Sequence, residues 1–128
     1  MAVLLDTHSW VWSLVTSPRL THTAATAMAN AGMITVSPIS IYEIAQKVRL
    51  GKWPELDAHV AGLETAAVRQ GFSMTPFTPQ IALRAGLLDW PHRDPFDRML
   101  AATALVAGMA LISADPVFDA VPGLRRIW

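Results

Sequence analysis

The chain has 128 residues, enough for one hydrophobic core and too few for two ordinary domains, so a single domain over residues 1–128 with a single site is expected. It contains no cysteine, which excludes disulfide frameworks, thiolate zinc sites and cysteine nucleophiles and suits a reducing cytoplasm. Ten Lys and Arg balance ten Asp and Glu, so any hold on a polyanion must be local; 52% hydrophobic against 16% charged residues implies a surface that meets a partner or a second copy of the chain.

Val3 to Leu5 is an uninterrupted apolar run, the pattern of a strand buried on both faces, and its end at Asp6 makes it too short for a signal peptide. A helix carrying Trp10 and Leu14 follows, and Pro18 breaks it. Thr21 or Thr23 can cap a second helix that Gly32 ends, and Met33 to Val36 reads as a strand. Ser37-Pro38 then opens a helix in which Ile41, Ile44, Ala45 and Val48 recur at helical spacing up to Gly51. A helix is expected from Glu55 to Arg69, a short strand from Phe72 to Thr75 and a helix from Thr78 or Pro79 to about Leu88. Asp94-Pro95 starts another helix, to about Ala107, followed by a strand at Met109 to Ile112 and a weak edge strand from Leu124 to Trp128. Strands separated by helices imply a parallel sheet in a three-layer α/β/α domain. The longest uncharged stretch, Met99 to Ala114, is divided by Gly108 and falls short of the roughly 20 apolar residues of a spanning helix, so no membrane segment is expected.

Three acids fall near strand ends or helix starts, and a fourth lies deeper in a helix. Asp6 follows the first strand, Asp97 sits one turn into the helix opened by Asp94-Pro95, and Asp115 follows the Met109 to Ile112 strand. Glu43 lies further along its helix. Ligands of open α/β sheets bind outside the carboxyl ends of the strands, so these acids can converge. Two carboxylates about 4 Å apart repel by roughly 4 kcal/mol at an effective dielectric near 20, an objection that a divalent cation removes. An all-oxygen set suits Mg²⁺ or Mn²⁺ better than zinc and points to hydrolytic phosphoryl transfer.

Each residue alone also has an ordinary structural role. Asp94 is mainly a helix cap, Asp115 and Asp6 can be cap and turn residues, and Glu43 with Lys47 can be a surface ion pair. Thr7, Ser9 and Ser40 either orient carboxylates or bond to backbone. Lys47, Lys52, His92, Arg93 and Arg98 are candidate contacts to a phosphate backbone, or solvated charges. Trp10, Trp12, Trp53, Trp90 and Trp128 are expected as core and interface anchors rather than a base-stacking platform, because the sequence does not interleave them with basic residues.

Taken together, the segments resemble the PIN-domain ribonucleases, specifically the VapC-like toxins of bacterial toxin–antitoxin pairs. Leu4-Leu5-Asp6-Thr7-His8 with Trp12 is similar to the opening motif, and Ile39-Ser40-Ile41-Tyr42-Glu43-Ile44-Ala45 with Lys47 and Gly51-Lys52 to the second. His92-Arg93-Asp94-Pro95-Phe96-Asp97-Arg98 resembles the third, and Ser113-Ala114-Asp115 with Phe118 the fourth. The departures are Tyr42, Thr103 and Ser113, where tryptophan, glutamine and threonine are common, and none removes an acid.

The resemblance implies a single PIN domain and a Mg²⁺-dependent endoribonuclease, cytoplasmic, usually dimeric and held inactive by a cognate antitoxin. It implies Asp6, Glu43, Asp97 and Asp115 as metal-binding acids, with Thr7, Ser40, Asp94 and Ser113 in support. Two other functions compete. A phosphotransferase with Asp6 as nucleophile would want a second acid two residues on, where His8 stands. A catalytically silent PIN-fold module would keep the acidic pocket only to receive a partner.

Overall fold

Val3, Leu4 and Leu5 are fully buried, as a strand without polar alternation requires. The computed structural model describes every residue, Met1 to Trp128, and places them in β1 (Ala2–Leu5). With β2 (Met33–Val36), β3 (Ser73–Met74), β4 (Ala110–Ile112) and β5 (Arg126–Ile127), β1 forms a parallel sheet in the order β3-β2-β1-β4-β5. Both edge strands are two residues long, which leaves little ladder open to another chain.

Alternation along the strands divides the core. Val3, Leu5, Val36 and Ile112 pack on one face with Trp10, Ala24, Ile44 and Leu63, from α1 (Thr7–Leu14), α2 (His22–Asn30), α3 (Pro38–Arg49) and α4 (Leu63–Arg69). Leu4 and Leu111 face the other way, onto Leu100, Ala101 and Ala104 of α6 (Pro95–Ala107). The helix α5 (Pro79–Leu87) packs on α6 through Ile81, Ala85 and Ala102. The result is the expected three-layer α/β/α sandwich, and no helix is long and apolar enough to cross a membrane.

Most helix starts fall where the sequence places them: Thr21, Ser37, Thr78 and Asp94 each cap a helix, and Gly108, at φ 67°, ends α6. The helix expected over Glu55 to Arg69 is a correction. Two 3₁₀ turns, Pro54–Leu56 and Val60–Gly62, precede α4. Leu56 and Leu63 are both buried in the core, and the irregular backbone between them lets both reach it past Gly62.

Chain direction matters for the site. From β1 the chain moves outward to β2 and β3, then crosses to β4 on the other side of β1. The carboxyl ends of β1 and β4 therefore flank a topological switch point, where connections diverge and leave a crevice.

Candidate metal centre

Asp6 stands at the end of β1 in that crevice. Its amide donates to the carbonyl of Ile112 at 3.0 Å, tying it to the end of β4. Its carboxylate accepts from the amide of Ser9 at 2.8 Å and so caps α1. The Asp6 side chain is nonetheless buried, and burial raises its pKa against the opposing hydrogen bonds of Ser113 and Ser9.

Glu43 approaches from α3. The sequence allowed an exposed ion pair with Lys47, and the pair exists at 3.0 Å, but Glu43 is only 6% exposed. Thr7 Oγ1 donates to Glu43 Oε1 at 2.6 Å and lies 2.9 Å from the Ser40 hydroxyl, so Thr7 and Ser40 fasten the start of α1 to α3 and fix the carboxylate between them.

Asp97 enters from the first turn of α6. Asp94 caps that helix, its carboxylate accepting from the amides of Phe96 at 2.9 Å and Asp97 at 3.4 Å, and so sets the angle at which Asp97 leaves the backbone. Burial pushes the Asp97 carboxyl up to about 6, opposed by the His92 ring 2.7 Å away and reinforced by the charges of Asp94 and Glu43. Asp115 is exposed and caps the 3₁₀ turn Pro116–Ala120, while its own amide donates to Ser113 Oγ at 3.1 Å. Arg126 supports this corner with a two-pronged contact to Asp119 and a bond to the Ser113 carbonyl.

All four acids, with Thr7, His8, Lys47, Asp94 and Phe118, line one pocket of about 170 Å³. The one set of three His, Asp or Glu groups with ligand atoms mutually within 4.8 Å is His92, Asp94 and Asp97, so the four acids ring the pocket rather than close on a point. Four carboxylates around one pocket, with burial opposing the ionisation of Asp6 and Asp97, form an all-oxygen donor set that fits a hard divalent cation keeping part of its hydration shell.

The basic residues separate. Lys47 and His92 are at the acids, Lys52 lies exposed beyond α3, and Arg93 lines a hollow with Phe77, Pro95 and Met99. Arg98 does not face the pocket: its guanidinium donates to the carbonyls of Ala85, Gly86, Leu88, Trp90 and His92. His8, not singled out from the sequence, does line the pocket, and its place two residues after Asp6 on α1 was the available signal.

These features define a class: a parallel α/β domain with a carboxylate-lined pocket at its topological switch point. The family model described as the PIN domain matches residues 3–124, and the chain belongs to the PIN domain family. Solved structures share the fold. One is VapBC2 from Rickettsia felis bound to a DNA fragment from their promoter, 18% identical, covering 98% of this chain and 97% of that one, with a TM-score of 0.73. DNA-bound VapBC from Salmonella typhimurium is 17% identical over 98% of this chain and 96% of that one, at a TM-score of 0.68. The Mycobacterium tuberculosis VapC20, a Sarcin-Ricin loop cleaving toxin, is 18% identical over 96% and 98%, at 0.62. No curated protein matches the sequence itself.

Proposed function

We propose that this protein is a divalent-metal-dependent endoribonuclease, the toxin of a VapBC-type pair acting in the cytoplasm. The carrying observation is the convergence of Asp6, Glu43, Asp97 and Asp115 on one pocket from four separate chain segments. Membership of the PIN domain family and fold likeness to toxins of this kind support it. Asp6, Asp97, Asp115 and Glu43 would hold Mg²⁺, for which Mn²⁺ substitutes. When bound, such a cation supplies a water activated for attack on phosphorus and positive charge for the phosphodiester.

The remaining roles belong to the chain. Thr7 and Ser40 keep Glu43 in place, Asp94 aims Asp97, Ser113 supports the Asp6 and Asp115 corner, and His92 holds Asp97 from outside the pocket. Lys47, beside Glu43, is placed to meet a phosphate; Lys52 and Arg93 remain contacts for more distant parts of an RNA. A cognate antitoxin is the expected protein partner and a homodimer the expected assembly.

The test is cleavage of single-stranded and total RNA by the purified protein with Mg²⁺ or Mn²⁺, with EDTA and Asp97→Asn as controls. Activity that needs the cation and is lost in the variant is expected. Cleavage that survives both would overturn the assignment, and a protein that binds its antitoxin yet cuts no RNA with metal present would be the silent module instead.

A further inference from the structure

Two side chains lead out of the acidic pocket into a second hollow of about 280 Å³. His8 lines both, and Lys47, 3.0 Å from Glu43 in the first, lies 4.5 Å from the ring centroid of Trp53 in the second. The second hollow is aromatic. The exposed His8 ring lies 5.7 Å from Trp12 and 5.1 Å from Trp53, and Trp128 continues the cluster 5.5 Å beyond Trp12. Arg19 sits over the Trp12 ring at 6.0 Å. Trp10 and Trp90 are core residues, but Trp12, Trp53 and Trp128 are only partly buried. Aromatic and basic groups that the sequence keeps apart are thus interleaved by the fold.

We propose that this hollow is a nucleobase subsite: it receives a base of single-stranded RNA while the neighbouring phosphodiester occupies the acidic pocket, and it rests on the ribonuclease reading above. Unpaired RNA bases are recognised by stacking on aromatic side chains and on guanidinium planes, and stacking tolerates any base because each has a π-face. Arg19 and Lys47, which now cover indole faces, are positioned for the phosphates on either side of a stacked base. Glu55, the one carboxylate lining the hollow, repels phosphate and accepts a hydrogen bond from a base amine. An apolar peptide would be matched by an aliphatic groove, whereas Val11 and Val15 are the only aliphatic groups here.

The test uses Asp97→Asn protein to prevent cleavage and a labelled single-stranded RNA of about eight nucleotides, within the range of single-stranded binding sites. Oligomers made abasic at each position in turn are compared with the intact one. The expected result is a loss of about tenfold in affinity at one position, in line with the stacking of one base. Quenching of tryptophan emission by the intact oligomer is expected alongside it. Trp53→Leu should shrink the difference between intact and abasic oligomers, whereas Arg19→Ala should weaken both alike. Equal binding of every abasic oligomer, or tryptophan quenching only when a protein partner is added, overturns the subsite. Cleavage by the unsubstituted protein is scored separately: base-independent binding with cleavage intact removes the subsite and leaves the ribonuclease. Base-dependent binding without cleavage does the reverse.

Discussion

Asp6 carries two roles on one carboxylate, and substitution can separate them. It caps α1 through the Ser9 amide, and it stands buried in the acidic pocket with its ionisation opposed by desolvation. Asparagine caps about as well as aspartate, whereas alanine loses roughly 1 kcal/mol of capping. Asp6→Asn should therefore keep α1 and, by removing a charge that burial opposes, raise the melting temperature of the metal-free protein. Asp6→Ala should melt a few degrees below Asp6→Asn. Both should lose RNA cleavage by at least about 100-fold, since even residues that only orient a ligand cost 10- to 100-fold. An Asp6→Asn protein that melts lower than the parent without metal would show that its charge is not strained in the fold. Asp6 was legible from its place after a buried strand, while Glu43 was less so. Its place further along a helix beside Lys47 made it lean more on the motif resemblance, because the hydrogen bond that fixes its carboxylate comes from Thr7, far away in sequence.

At the scale of elements, sequence reading works where local chemistry decides and fails where distant contacts do. Capping residues and apolar runs locate β1, β2, β4 and most helix starts. A helix is expected from Glu55, yet the stretch up to Gly62 forms 3₁₀ turns, shaped by the burial of Leu56 and Leu63 in the core. The same limit explains Arg98 and the tryptophans. A lone arginine beside an acid reads as a phosphate contact, but Arg98 gathers five carbonyls around its guanidinium, two from the last turn of α5 and three from the α5–α6 connection. That connection carries His92 and leads into the cap of α6, so Arg98 positions Asp97 from behind. Arg98→Ala should leave these carbonyls without a charged donor and cost about 2 to 4 kcal/mol in urea unfolding, given roughly 1.5 to 3 for hydrogen bonds to charged groups. Affinity for RNA in the folded fraction should change little. A stable variant with weakened RNA binding would return Arg98 to the substrate surface.

Across the fold as one cooperative unit, the acidic pocket makes stability depend on pH, and on the proposed metal-binding reading it should make stability depend on cations as well. Asp97 titrates near 6 in the folded chain against 3.8 as its ordinary value, and Asp6 is shifted in the same direction. The folded state thus holds protons that the unfolded chain has already released. By linkage, the metal-free protein loses stability as pH rises from about 4 to 6 and stays at the lower level above that. If Mg²⁺ or Mn²⁺ binds there as proposed, it competes with those same protons, so its affinity should climb through pH 6 and its binding at neutral pH should release protons into a weakly buffered solution. In thermal melts with EDTA, the protein should be more stable at pH 5 than at pH 7.5. Added Mn²⁺ should raise the melting temperature much more at pH 7.5 than at pH 5. If the four carboxylates served only as caps and ion pairs, the cation would produce no such pH-dependent gain. Asp6→Asn and Asp97→Asn should each flatten both the metal-free slope and the manganese response, tying the effect to this pocket rather than to the acids elsewhere on the surface.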